Sequence, residues 1–141
     1  MARIIKEIQV SGRKLTALFD TGSTNTYIIE GVSPSNRVIL KHPVWIGLGG
    51  ERREIKEMCI IEGEIEGLNF FTDSYLIEDL GTINGKQLDM IIGATTMERW
   101  EIRLDPRTGE LDLTGLRKRE FTEYLKHFLK LKAGIYTRFF F

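Results

Sequence analysis

Apolar residues in this chain fall mostly in short runs separated by turn-forming residues. Residues 3–10 and 14–19 alternate or run apolar on either side of Ser11-Gly12-Arg13, which predicts a hairpin. Tyr27-Ile28-Ile29 reads as a short buried strand, and residues 31–36 as a loop. Val38-Ile39-Leu40 and Val44-Trp45-Ile46 predict two strands broken by Pro43, and Gly47-Leu48-Gly49-Gly50-Glu51 predicts a turn after them. A long strand is expected over 53–66, a turn at Gly67-Leu68-Asn69, and another strand over Phe70–Ile77. Residues 78–87 are polar and loop-like. Leu88–Ile92 predicts a buried strand ending at Gly93, and Ala94–Trp100 has helix composition for about two turns. Ile102-Arg103-Leu104 and Glu110–Leu113 flank the turn sequence Asp105-Pro106-Arg107-Thr108-Gly109.

So many short strands indicate a mainly β domain, with a closed or nearly closed barrel as the expected form. The end of the chain changes period. From Leu116 to Lys132 the apolar positions Phe121, Tyr124, Leu125, Phe128, Leu129 and Leu131 keep helical spacing, with Thr114 as the expected N-cap and Ala133-Gly134 as the stop. Ile135–Phe141 follows as a short aromatic tail. The expected organisation is a domain over 1–115 and an amphipathic helix with its tail over 116–141.

Length and charge narrow the classes. A chain of 141 residues is one domain able to bury a core without staples. Its 20 basic and 20 acidic residues cancel, so no global field favours nucleic acid or an anionic membrane. The single cysteine, Cys59, excludes an intrachain disulfide and a cysteine-rich metal site, and its apolar neighbours make it a core thiol. Met1–Glu7 carries charges where a secretory leader needs an apolar stretch, and no run approaches the length of a membrane span. The expectation is a soluble, cytoplasmic protein.

The chemistry concentrates in Asp20-Thr21-Gly22-Ser23, which directly follows the apolar run Leu15–Phe19 and occurs once. An apolar strand ending in Asp-Thr-Gly delivers a carboxylate into a tight turn. Farther on come Ile46-Gly47-Leu48-Gly49-Gly50, a glycine-rich hairpin tip, and Met90-Ile91-Ile92-Gly93, a strand ending in glycine before a short helix. In this order the three segments resemble the retropepsins, the single-domain dimeric relatives of pepsin. The resemblance spans roughly residues 3 to 113.

The resemblance implies an aspartic endopeptidase that works as a homodimer, one Asp20 from each chain, on extended peptide or protein substrates. It implies no cofactor and no metal. By motif, Asp20, Thr21 and Gly22 form the catalytic turn, with the Thr21 hydroxyl bonding across the dimer. Ser23, Gly47, Leu48, Gly49, Gly50 and Ile92 are the expected substrate-side residues, and Ser23 is also placed to donate to the outer oxygen of Asp20. Retroviral members carry an acid two places after the motif glycine and an arginine after the second glycine; here Thr24 and Ala94 stand there. Both partners of that ion pair are therefore absent together, which points to a cellular variant of the turn. The charged flap Glu51-Arg52-Arg53-Glu54 also departs from the apolar viral tip.

Several of these residues also have competing readings. Phe19–Thr26 also resembles the first phosphate loop of actin-like ATPases, with Gly93-Ala94-Thr95-Thr96 as a mimic of the second. That fold needs two large domains and alternating strands and helices, for which this chain is too short. A retropepsin-like domain that binds or dimerises without catalysis is the remaining alternative. His42 and His127 lack the context of a nucleophile pair and read as surface residues. Asp89 reads as a turn residue at a strand start rather than a second catalytic acid, and Glu62, Glu64 and Glu66 as a solvated strand face rather than a metal site. Trp45, Phe70 and Phe71 read as core. The C-terminal helix and tail are expected at the dimer interface; attachment to a membrane through Lys126, Lys130, Lys132 and Arg138 is a weaker option.

Overall fold

The computed structural model describes residues 3–120. Eleven strands and a short helix run in the order β1 (Arg3–Val10), β2 (Arg13–Asp20), β3 (Tyr27–Ile29), β4 (Arg37–Leu48), β5 (Glu51–Ile65), β6 (Leu68–Ile77), β7 (Thr82–Ile83), β8 (Lys86–Gln87), β9 (Met90–Ile92), α1 (Ala94–Trp100), β10 (Arg103–Asp105) and β11 (Glu110–Asp112). Residues 114–120 are helical as well. Most of the expected C-terminal helix, and all of the aromatic tail, lie outside the described residues.

Seven strands form one sheet in the order β1-β2-β9-β3-β6-β5-β4. Beyond that order, β1 pairs with the end of β5 through Gln9↔Glu64 and Val10↔Gly63. A closed barrel is the sequence expectation; the observed arrangement is this sheet, joined back to β1 by two residue pairs. The central strands have a physical reason for their unbroken apolar runs. Ala17, Phe19, Ile28 and Ile92 enter one core cluster, while Leu18, Tyr27, Ile29 and Ile91 enter a second one on the opposite face. A strand covered on both faces has no solvent side and so shows no alternation. In β5 and β6 alternation returns, with Ile61, Ile65, Leu68 and Phe70 inward and Glu62, Asn69 and Phe71 outward.

Tight turns set the hairpin registers. Ser11-Gly12 and Glu66-Gly67 both hold positive φ at two successive residues, the twist that suits a two-residue β-turn. The second turn therefore sits one residue earlier than expected, and β6 starts at Leu68. The loop over 78–87 contains a miniature hairpin, β7 with β8.

Phe71, expected in the core with Trp45 and Phe70, is instead 37% exposed, because the alternation of β6 puts it on the face opposite Phe70. Three further details differ from the sequence expectation. Pro43 does not end a strand: β4 is continuous, and the irregularity is a break in pairing between Ile39 and Val44. Trp45 is 56% exposed rather than in the core, because β4 lies at the edge of the sheet; the Arg52 guanidinium stacks 5.1 Å from its ring centre. The helix over 114–120 begins at Thr114 itself, and the acceptor at its start is the carboxylate of Asp112, bonded to the Thr114 N–H at 3.0 Å. That hydrogen bond holds the Asp112 carboxyl below its ordinary range. Leu116 from this helix is fully buried in the first cluster, so the helix start belongs to the domain's own core.

Candidate active site

The Asp20 turn is made by β2 ending where the sheet ends. β2 pairs with β1 on one side and with β9 on the other, Leu18 against Ile91 and Phe19 against Ile92. Two-sided pairing fixes the strand through Phe19, and Asp20 itself is paired on one side, with Arg3. The Ser23 N–H then donates to the Asp20 carbonyl at 3.1 Å and closes the turn. Within it, the Gly22 N–H donates to Asp20 Oδ1 at 2.8 Å and orients the carboxylate. The other oxygen, Oδ2, lies 3.4 Å from Arg3 Nε, and Arg3 is the register partner of Asp20 across the β1–β2 pair. Motif reading did not find Arg3; the signal was its position opposite Asp20 in the predicted hairpin.

Ser23 departs from its expected contact. Its hydroxyl donates to the Asn25 carbonyl at 2.9 Å rather than to Asp20. The turn bends the chain so that the Ser23 side chain faces along the following loop, where a carbonyl is the nearer acceptor.

The loop after the turn is fastened to the start of α1. Ala94 N–H donates to the Ser23 carbonyl at 2.7 Å, and Thr95 N–H to the Thr24 carbonyl at 3.2 Å. This contact requires glycine at position 93. A Cβ there would collide with the Asn25 carbonyl and lie 2.7 Å from that of Ser23. Asp89 pins the other side. Its carboxylate accepts from the Thr16 N–H at 2.8 Å and its carbonyl from the Ile29 N–H at 3.0 Å, so it ties β2 and β3 together rather than shaping a local turn.

Asp20 opens into a cleft of about 790 Å³ between the turn and the β4–β5 hairpin. Asp20, Gly22 and Ser23 line one wall; Gly47, Leu48 and Gly49 line the other. Gly49 and Gly50 carry φ of 61° and 80° and form a two-residue turn at the hairpin tip. Gly50 completes that turn without lining the cleft. Ile92 does not reach the cleft either: its side chain is wholly buried in the first core cluster, and its neighbour Ile91 faces the cavity. The alternation of a strand decides which of the two looks out. Leu18, Tyr27 and Leu88 join Ile91 in making the floor apolar. Burial pushes the Tyr27 phenol up. Arg53, on the hairpin, donates to the Asp79 carbonyl at 2.9 Å and ties the hairpin to the loop across the cleft mouth.

Thr21 turns away from this cavity. It is exposed and sits beside Met97, Glu98 and Arg103 on another face. Among the described residues no cluster of histidine, cysteine or carboxylate groups could hold a metal ion. His42 is exposed, and His127 lies outside the described residues.

No protein-family model matches this sequence, and no curated protein matches it. Solved structures do match, 263 chains in all. One is the retroviral protease-like domain of Ddi1 from Leishmania major, with a TM-score of 0.56 and 18% sequence identity over 81% of this chain and 90% of that one. At that identity the likeness is one of fold, and the fold of this chain is retropepsin-like.

Proposed function

We propose that this chain is an aspartic endopeptidase, active as a homodimer that brings together one Asp20 from each protomer. The observation that carries this reading is the Asp20 carboxylate held by the Gly22 N–H on the wall of a cleft roofed by the Gly49-Gly50 hairpin. Each chain has one such motif, so a facing pair requires two copies. Two carboxylates at close range share a single proton. The ionised member takes a proton from water, and the water attacks the peptide carbonyl. The protonated member polarises that carbonyl and then protonates the departing amine. The extended substrate lies beneath the hairpins, held by backbone hydrogen bonds, with Gly47 and Gly49 letting the chain approach closely. Thr21 lies on a separate exposed face, where the contact between the two turns would form. No cofactor or nucleic acid enters this scheme.

A second reading has one observation in its favour. The Arg3 guanidinium beside Asp20 Oδ2 satisfies the oxygen that the chemistry needs, as suits a domain that only binds or assembles. Incubating the protein with denatured casein separates the two readings. Wild type should cleave it, pepstatin should inhibit, and EDTA should not. Asp20→Asn keeps the shape of the side chain but cannot act as base, so it should lose at least about a thousandfold in rate. Full activity in Asp20→Asn, or loss of activity with the chelator, would refute the aspartic mechanism. An inert wild type would leave the binding domain as the reading.

A further inference from the structure

Behind the Asp20 turn lie three buried threonines that the proposed chemistry does not use. Thr26 precedes β3, Thr72 lies in β6 and Thr96 in α1, each only 4% exposed. The hydroxyl oxygens of Thr26 and Thr96 are 2.7 Å apart, as are those of Thr96 and Thr72. At one end the Gly93 N–H donates to Thr26 Oγ1 at 3.2 Å. At the other, Thr72 Oγ1 donates to the Asp73 carbonyl at 3.0 Å.

These bonds can run in one direction only. A hydroxyl has a single proton to donate. The Thr72 proton goes to Asp73, so Thr72 accepts from Thr96. Thr96 has then used its own proton and accepts from Thr26, whose remaining acceptor site takes the Gly93 N–H. The order is Gly93 N–H to Thr26 to Thr96 to Thr72 to the Asp73 carbonyl, and among the described residues no buried side-chain polar atom is left without a partner. Thr96 is the middle link, and it joins three elements that are far apart in sequence.

The relay ends on the backbone that holds the catalytic turn. Gly93 packs against the carbonyls of Ser23 and Asn25, and Ala94 is bonded to Ser23. The residues in the positions of the retroviral ion pair, Thr24 and Ala94, carry no charge to brace this contact. We propose that Thr96 is a positioning residue for Asp20: its hydroxyl locks Gly93 onto the loop after the turn and thereby fixes where the carboxylate points. The effect on rate rests on the aspartic protease reading; the effect on the loop does not. Removing the central hydroxyl strands a buried donor on Thr26 and a buried acceptor on Thr72, and the loop must move to satisfy them. Reaction rates respond steeply to such small displacements.

The test compares Thr96→Val, which keeps the shape and removes the hydroxyl, with Thr96→Ser, which keeps the hydroxyl. Thr96→Val should lower kcat on a cleaved peptide roughly ten- to a hundredfold while KM moves less than about threefold. Thr96→Ser should stay within about threefold of wild type in both. Hydrogen exchange measured on the same proteins should show the Gly22 and Gly93 amides exchanging faster in Thr96→Val only, at an unchanged rate for the β5–β6 core amides. Wild-type kcat in Thr96→Val, equal damage in Thr96→Ser, or unchanged exchange at Gly22 and Gly93 would each overturn the proposal. Should wild type cleave nothing, the protease reading fails and the exchange comparison still decides the positioning role. Should Thr96→Val not fold, Thr72→Val takes its place. It breaks only the link farthest from the loop and should raise Gly93 exchange with a smaller loss of kcat; wild-type behaviour there overturns the proposal equally.

Discussion

Asp20 and Cys59 show how the same kind of residue reading can place one group in a site and another in the core. Asp20 ends a strand and meets a backbone donor and an arginine; Cys59 sits in β5 and is 1% exposed. Burial pushes the Cys59 thiol up from 9.0 to about 11, against a smaller opposing pull from Arg37. The sign of the linkage follows. The folded state holds this proton more tightly than the unfolded state, so the thiol's contribution to stability is whole below pH 9.0 and disappears as pH rises through about 11. Ellman's reagent at pH 8 should therefore leave Cys59 unreacted in the native protein and modify it fully in concentrated urea. Rapid labelling of the native protein would mean that β5 opens or that the thiol is not in the core. Ser23 belongs at this scale too. Its hydroxyl serves the Asn25 carbonyl, so its contribution is to the shape of the loop rather than to the carboxylate.

Among the elements, α1 is short and has much to hold. It has seven residues, too few to be stable alone, and depends on its contacts. Trp100 supplies the largest. It is 2% exposed, its Nε1–H donates to the Phe71 carbonyl at 2.7 Å, and its ring meets that of Phe71 edge-on with centres 5.0 Å apart. Trp100→Ala should destabilise the protein by about 3–5 kcal/mol, read as a drop in the urea midpoint. Trp100→Phe keeps most of the apolar volume and loses the N–H bond, and should cost about 1–2 kcal/mol. Equal losses in the two variants would show that the hydrogen bond, not the packing, anchors α1. Since α1 also presents Ala94 and Thr95 to the Asp20 loop, the same core contact that stabilises the helix supports the site.

At the scale of the whole molecule, the proposed chemistry needs two chains, and this sets a concentration dependence. Specific activity should fall on dilution and return on reconcentration, since dissociation separates the two carboxylates. Activity per chain that stays constant from micromolar to the lowest measurable concentration would argue for another arrangement of the site. The segment expected to support assembly must be cut with care. Truncation before residue 116 would remove Leu116, which is buried in the domain core. Cutting after Glu120 spares it, along with the contacts of Arg119 with the Arg99 carbonyl and of Glu120 with the Asn69 N–H. If residues 121–141 contribute to the dimer, that truncation should shift the dilution curve to higher concentration while leaving activity intact at its top.

Local patterns were enough to read most strands, the Asp-Thr-Gly-Ser turn, the hairpin tip and the helix after Gly93. Each of these depends on neighbours in sequence: turn glycines, apolar runs and a change of period. What required the folded chain involves partners far apart along it. Ile91 rather than Ile92 faces the cleft because the pairing of β9 between β2 and β3 sets which side looks out. Trp45 is exposed because β4 is last in the sheet, a fact of topology that its own apolar neighbours conceal. The threonine relay joins positions 26, 72 and 96, and nothing in the local sequence of any of them marks it. A hydroxyl's role is decided by which other polar atoms it meets when water is excluded, and only tertiary packing chooses those partners.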